Sequence, residues 1–113
     1  MADDCLFCRI IRREIPAGIV HETEDVIAFR DIRPEAPVHV LIIPKTHIHS
    51  LDRATDGSIL GKMALAAAEI ARAKGIADDG YRTVMNTNAA AGQTVFHIHL
   101  HLLGGRRLDW PPG

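Results

Sequence analysis

The chain has 113 residues, 47 % of them hydrophobic and 24 % charged, with 13 Lys plus Arg set against 14 Asp plus Glu. Those figures describe one globular domain and exclude a disordered chain, or one whose main work is gripping nucleic acid or an anionic membrane. The longest apolar run, residues 38–44, is interrupted by His39 and is far too short to cross a bilayer. The opening Met1-Ala2-Asp3-Asp4 is acidic and leads into no basic and then apolar region, so no secretory signal is expected. The two cysteines, Cys5 and Cys8, are three apart. A small domain built for an oxidising compartment carries more of them, spread along the chain, so a cytoplasmic location is expected.

Residues 6–13 read as a short amphipathic helix, with Leu6, Ile10 and Arg13 on one side and Phe7 and Ile11 beside them, ended by Pro16-Ala17-Gly18. Residues 19–21 and 26–30 read as strands around the acidic turn 22–25. Two prolines make 33–37 a loop, and 38–43 is β-rich and reads as a central strand closed by Pro44. A long helix is expected from Asp56 or Ser58 to Lys74, with Ile59, Leu60, Met63, Ala67, Ile70 and Ala71 as its apolar stripe and Gly75 as its stop. Residues 81–86 form a strand and 87–94 a small-residue loop. Residues 95–103 form the last strand, broken by Gly104-Gly105 before a tail at 106–113. The order α-β-β-β-α-β-β predicts an α+β fold, an antiparallel five-stranded sheet with the long helix on one face.

Seven histidines stand against three lysines, and three of them alternate in Phe96-His97-Ile98-His99-Leu100-His101-Leu102-Leu103. On a strand, His97, His99 and His101 share one face and Ile98, Leu100 and Leu102 the other. Three imidazoles against a dry core would leave ring nitrogens unpaired, so the histidine face should border a cleft. Single histidines are often merely structural, but strict alternation on an apolar strand is not explained that way. Two functional readings remain: a metal held by several of the rings, or nucleophilic catalysis by a neutral imidazole that its neighbours orient. The preceding Ala89-Ala90-Ala91-Gly92-Gln93-Thr94 lets backbone N–H groups approach an anion, with Gln93, Thr94 and Asn86 as side-chain donors. Donors beside a histidine nucleophile suggest a phosphate.

His97-Ile98-His99-Leu100-His101-Leu102-Leu103 resembles the motif of the histidine-triad family, His-x-His-x-His-x-x with x apolar. Ala91-Gly92-Gln93-Thr94-Val95-Phe96, Leu103-Gly104-Gly105-Arg106, Phe29-Arg30-Asp31-Ile32, Ala36-Pro37-Val38-His39 and Ile42-Ile43-Pro44-Lys45 are also similar to that family. The ending Trp110-Pro111-Pro112-Gly113 resembles its Hint branch, and the likeness runs from Cys5 to Gly113. It implies a homodimeric purine nucleoside phosphoramidase that binds purine nucleoside monophosphates and their phosphoramidates. His99 would attack the α-phosphorus, His101 would sit near the phosphate and leaving group, and His39 and His97 would support the imidazole network. Asn86, Gly92 and Thr94 would line the phosphate site, Thr94 standing where many relatives have serine. Asp31 would bind the ribose hydroxyls, although an acidic residue before a proline loop also caps turns. Leu6, Phe7, Ile10, Phe29 and Ile32 would pack around the base, and Trp110 would cross to the partner's site and shape leaving-group preference.

Cys5-Leu6-Phe7-Cys8 has zinc-ligand spacing but supplies half a site, and such a pair can also be redox-active or core sulfur. Relatives with this pair resemble a Cys2His2 zinc centre. The resemblance implies one structural Zn2+ on Cys5, Cys8, His47 and His97, with His49 a weaker substitute for His47, and no metal needed for the chemistry. Rival readings are a dinucleoside polyphosphate hydrolase, which the Trp-Pro-Pro-Gly ending disfavours, a nucleotide-binding adaptor, and a metal-binding module.

Overall fold

The structure is a computed structural model that describes residues 4–113; the acidic opening at 1–3 lies outside the described residues. Six residues, Leu6–Ile11, form the first helix, α1, which ends sooner than the 6–13 expected. The chain has already left helical geometry at Arg13, whose φ is 62°, before Pro16 is reached. So short a helix has little stability of its own and is held by the burial of Phe7 and Ile10.

Strands β1 (Ile19–Glu22), β2 (Val26–Arg30) and β3 (Val38–Pro44) follow as expected. The long helix α2 spans Gly57–Ala73, with the Asp56 side chain accepting the Ser58 N–H at its start and Gly75, at φ 74°, just past its end. Strands β4 (Tyr81–Val84) and β5 (Leu100–Gly104) complete an antiparallel sheet in the order β1-β2-β3-β5-β4. The α+β class and five-stranded sheet thus match the sequence reading. No helix among the described residues is long and apolar enough to cross a membrane.

Period-two alternation divides the core. Val26 and Ala28 of β2, Val40 and Ile42 of β3, and Leu100 and Leu102 of β5 pack with Met63, Ala66, Ala67 and Ile70 of α2. The intervening Ile27, Phe29, Leu41 and Ile43 face the other way, against Phe7 and Ile10 of α1. The histidines of the triad lie on this second side, so α1 roofs part of the face expected to be an open cleft. Phe7 meets the rings of His97 and His99 edge-on, at centroid distances of 5.9 and 5.1 Å.

The last strand begins at Leu100, five residues later than expected. The register pairs Ile42 with Leu100, which would bring Pro44 opposite Ile98. Pro44 has no N–H to give, and its carbonyl is taken by the His97 ring at 2.8 Å. The Ile98 N–H turns instead to the Ile48 carbonyl at 2.6 Å. Residues 97–99 nevertheless keep alternate sides, because Ile98 packs into the α2 core while His97 and His99 lie against Phe7.

Candidate active site and metal centre

His99 is nine-tenths buried or more, and its Nδ1 lies 2.8 Å from the His97 carbonyl oxygen. A carbonyl only accepts, so Nδ1 carries the proton and Nε2 carries a lone pair. Burial, partly offset by that hydrogen bond, lowers the proton affinity of His99 and keeps the ring neutral. A neutral imidazole that attacks through one nitrogen needs an acceptor for the proton on the other, and this carbonyl supplies it.

His101 shows the opposite tautomer, for a reason two residues removed. The Glu35 N–H donates to His39 Nδ1 at 3.0 Å, so neutral His39 carries its proton on Nε2. His39 Nε2 lies 2.9 Å from His101 Nδ1, which must therefore accept, leaving the His101 proton on Nε2. Burial, with the rings of His99 and His39 nearby, pushes His101 down to about 4. Among the described residues, the one buried side-chain polar atom without a partner is His21 Nε2. The Nε2 atoms of His99 and His101 have no hydrogen-bond partner among the described residues and are not among the buried ones, so they reach solvent. The rings, 5.2 Å apart, thus offer a lone pair and an N–H side by side. A nucleophile beside a hydrogen-bond donor suits attack on a phosphoryl group whose oxygens gain charge.

Asp31 joins this group, with one carboxylate oxygen 3.3 Å from His39 Nε2 and the other accepting the Arg33 N–H at 2.8 Å. The turn-capping role considered for Asp31 is therefore realised, alongside a place in the histidine network. Asp31, His39 and His101 lie close enough to hold a metal. Neutral His39, however, has its bare nitrogen engaged by the Glu35 N–H, so the trio is built as a proton relay rather than a ligand set.

A second cluster has the reverse character. Cys5, Cys8, His47 and His97 each turn a ligand atom inward, all within 4.8 Å of one another. His97 is fully buried; its Nε2–H donates to the Pro44 carbonyl, so its Nδ1 is bare. That nitrogen lies 3.5 Å from each cysteine sulfur and 3.1 Å from His47 Nδ1, and the Cys8 sulfur is 3.3 Å from His47. A tetrahedron of sulfur and nitrogen ligands around one ion has edges of about 3.3–3.8 Å, close to these separations. Burial pushes His97 down to about 4, and it also lowers His47, so both rings are unprotonated, as ligands must be. The donor set and the carbonyl holding the far nitrogen of His97 fit a metal ion. His49 is turned elsewhere, towards Ser50 and the Phe96 ring.

Phe7, Ile10 and Phe29 are buried core residues behind the histidines. Leu6 and Thr94 line a cleft of about 440 Å³ beside the metal cluster, with Val95 and Phe96. Ile32 is 93 % exposed, and Trp110 is 79 % exposed with the Arg82 guanidinium over its ring. Gly92 sits at φ 92° on the loop, and its N–H returns to Ala89. Asn86 lies half-buried just past β4. Gln93 departs from expectation: its amide donates to the His49 and Val95 carbonyls and accepts the Asn88 N–H. Those donors are engaged inside the loop, so Gln93 shapes it rather than offering them to a phosphate. Sequence reasoning missed the Glu35 N–H, which no side-chain pattern announces.

The HIT domain family profile matches residues 12–108. A purine nucleoside phosphoramidase of Escherichia coli K12 is 54 % identical over 110 residues, covering 96 % of this chain and 92 % of that protein. An uncharacterised HIT-like protein of Synechococcus elongatus is also 54 % identical, over the full length of both. The crystal structure of a HIT family hydrolase from Legionella pneumophila superposes with a TM-score of 0.94 at 51 % identity, covering 96 % of this chain and 99 % of that one. The chain belongs to the HIT domain family and is a hydrolase of it.

Proposed function

We propose that the protein hydrolyses purine nucleoside 5′-phosphoramidates through a nucleotidyl-histidine intermediate. The observation that carries this reading is the bare, solvent-reaching Nε2 of His99, fixed by the His97 carbonyl. His99 Nε2 attacks the α-phosphorus and forms a P–N bond as the substrate's P–N bond breaks and the amine leaves with a proton drawn from solvent. Water then cleaves the new bond, giving the nucleoside monophosphate and the free ring. One P–N bond replaces another in the first step, so two assisted steps stand in for one difficult attack. His101 Nε2–H donates to the phosphoryl group, and His39 holds its tautomer. Asp31 receives the ribose, Gly92, Thr94 and Asn86 the phosphate, and Leu6 and Ile32 the edge of the base. The 54 % identity to a named phosphoramidase supports the substrate class.

The Cys5, Cys8, His47 and His97 cluster is read as a structural zinc centre, closed by four protein ligands and tying α1 to the histidine segment. A two-fold homodimer is supported by the free outer edge of β4 and by Leu65 of α2, which is 72 % exposed; Trp110 would then face the partner's site. A cytoplasmic location accords with two cysteines that form no disulfide among the described residues.

Turnover of adenosine 5′-phosphoramidate and of a diadenosine polyphosphate by the unaltered protein tests the reading. Preferred release of AMP and amine from the phosphoramidate supports it. No turnover of the phosphoramidate, or preference for the polyphosphate, rejects it.

A further inference from the structure

The proton relay that sets His101 does not end at Glu35. Arg106, exposed at the start of the tail, donates from Nε to the Glu35 carbonyl at 3.0 Å, and its Nη1 donates to the Arg107 carbonyl at 2.8 Å. Glu35 is thereby held on both sides, its carbonyl by Arg106 and its N–H by His39 Nδ1. The segment between them is close-fitting. A Cβ on Gly105 would come within 3.0 Å of Pro37, and Gly105 itself sits at φ 89°. With prolines at 34 and 37, this loop has few backbone donors with which to hold its own shape.

We propose that Arg106 is a positioning residue for the reaction, acting through Glu35 and His39 to keep the His101 proton on Nε2. Without the guanidinium, the Glu35 carbonyl turns to water and the residue is free to rotate. A small rotation breaks the 3.0 Å bond to His39 Nδ1. Only His101 Nδ1 and the Asp31 carboxylate, 3.3 Å away, then favour the proton on His39 Nε2, and a fraction of the rings carry it on Nδ1 instead. With the proton on Nδ1, it presents a bare Nε2 to His101, which responds by moving its own proton to Nδ1. His101 then offers the phosphoryl group a lone pair where it had offered an N–H, and electrostatic support becomes repulsion. His99 is untouched, because its tautomer depends on the His97 carbonyl. The effect therefore falls on the rate of the chemical step and not on the binding of the nucleoside.

The rate part of this inference rests on the phosphoramidase reading; the tautomer part does not. The test is the set of imidazole ¹⁵N shifts of His39 and His101 in labelled protein, measured beside phosphoramidate kinetics. The unaltered protein should show His101 protonated on Nε2, and Arg106→Ala a mixture of tautomers. In that variant kcat should fall roughly tenfold while KM stays within about twofold. Arg106→Lys, which retains one donor, should recover the tautomer and most of the rate. Arg107→Ala, which loses only an exposed pair with Asp109, should resemble the unaltered protein in both. Unchanged ring shifts in Arg106→Ala, or a His101 already protonated on Nδ1 in the unaltered protein, would overturn the proposal. Failure of the unaltered protein to cleave the phosphoramidate sinks the substrate reading instead, and the ring shifts then decide the relay by themselves.

Discussion

His97 and His99 are joined by one hydrogen bond of 2.8 Å, from the His99 ring to the His97 carbonyl. The ring of His97 meanwhile points its bare nitrogen at Cys5, Cys8 and His47. One residue thus serves two places, its side chain in the Cys/His cluster and its backbone carbonyl under the ring proposed as nucleophile. Stripping the metal with a chelator, or replacing Cys8 by Ser, should lower Tm and also slow phosphoramidate cleavage about 10-fold or more. Metal analysis and kinetics on the same samples check this. One equivalent of zinc lost with no change in either Tm or rate would contradict a structural role.

Replacement of His99 by Ala should remove the covalent intermediate altogether. Phosphoramidate turnover is expected to fall by at least about a thousandfold with the circular dichroism spectrum unchanged. Rapid acid quench and mass spectrometry should find AMP attached to the unaltered protein and none on the variant.

Acid should weaken the fold through His101. Its ordinary value of 6.5 is pushed down to about 4 by burial, first, and then by the nearby His99 and His39 rings. Between those values the unfolded chain binds a proton that the folded chain refuses, so unfolding gains as pH falls. The stability involved is complete above about pH 6.5 and is lost progressively towards pH 4. Tm followed across that window should drop in the unaltered protein and less steeply in His101→Gln. Equal slopes would assign the dependence to another group.

Gly104 closes β5 against the loop after α2. A Cβ there would lie 2.5 Å from Ile76 Cδ1 and 3.2 Å from its Cβ, too close to both the tip and the root of that side chain. Gly104→Ala should cost about 1–3 kcal/mol in denaturant unfolding. Combining it with Ile76→Val, which removes the Cδ1, should cost less than the two separate losses added together.

Much of this architecture was legible from period alone. The stripe on α2, with Asp56 before it and Gly75 after it, located that helix to within a residue. Alternation placed His97, His99 and His101 on one side and Ile98, Leu100 and Leu102 on the other. The beginning of β5 was not legible, because it depends on what Pro44 lacks and on a ring that takes its carbonyl. Both are contacts across more than fifty residues. The proton positions were hidden for the same reason. Sequence spacing can bring three imidazoles to one face, but only the Glu35 N–H and the carbonyls of Pro44 and His97 decide which nitrogen of each is bare. Phe7, Ile10 and Phe29, which the resemblance places around the base, are buried where α1 meets the sheet, a packing that spacing alone does not announce.

The loop carrying Gly92 and Thr94 is closed on itself by Gln93, whose amide bridges Asn88, His49 and Val95. Its shape is therefore established during folding and is not assembled around a guest. A ligand arriving at such a surface meets a mould rather than a hand. Little ordering entropy remains to be lost on docking, so selectivity should come from rejecting what does not fit.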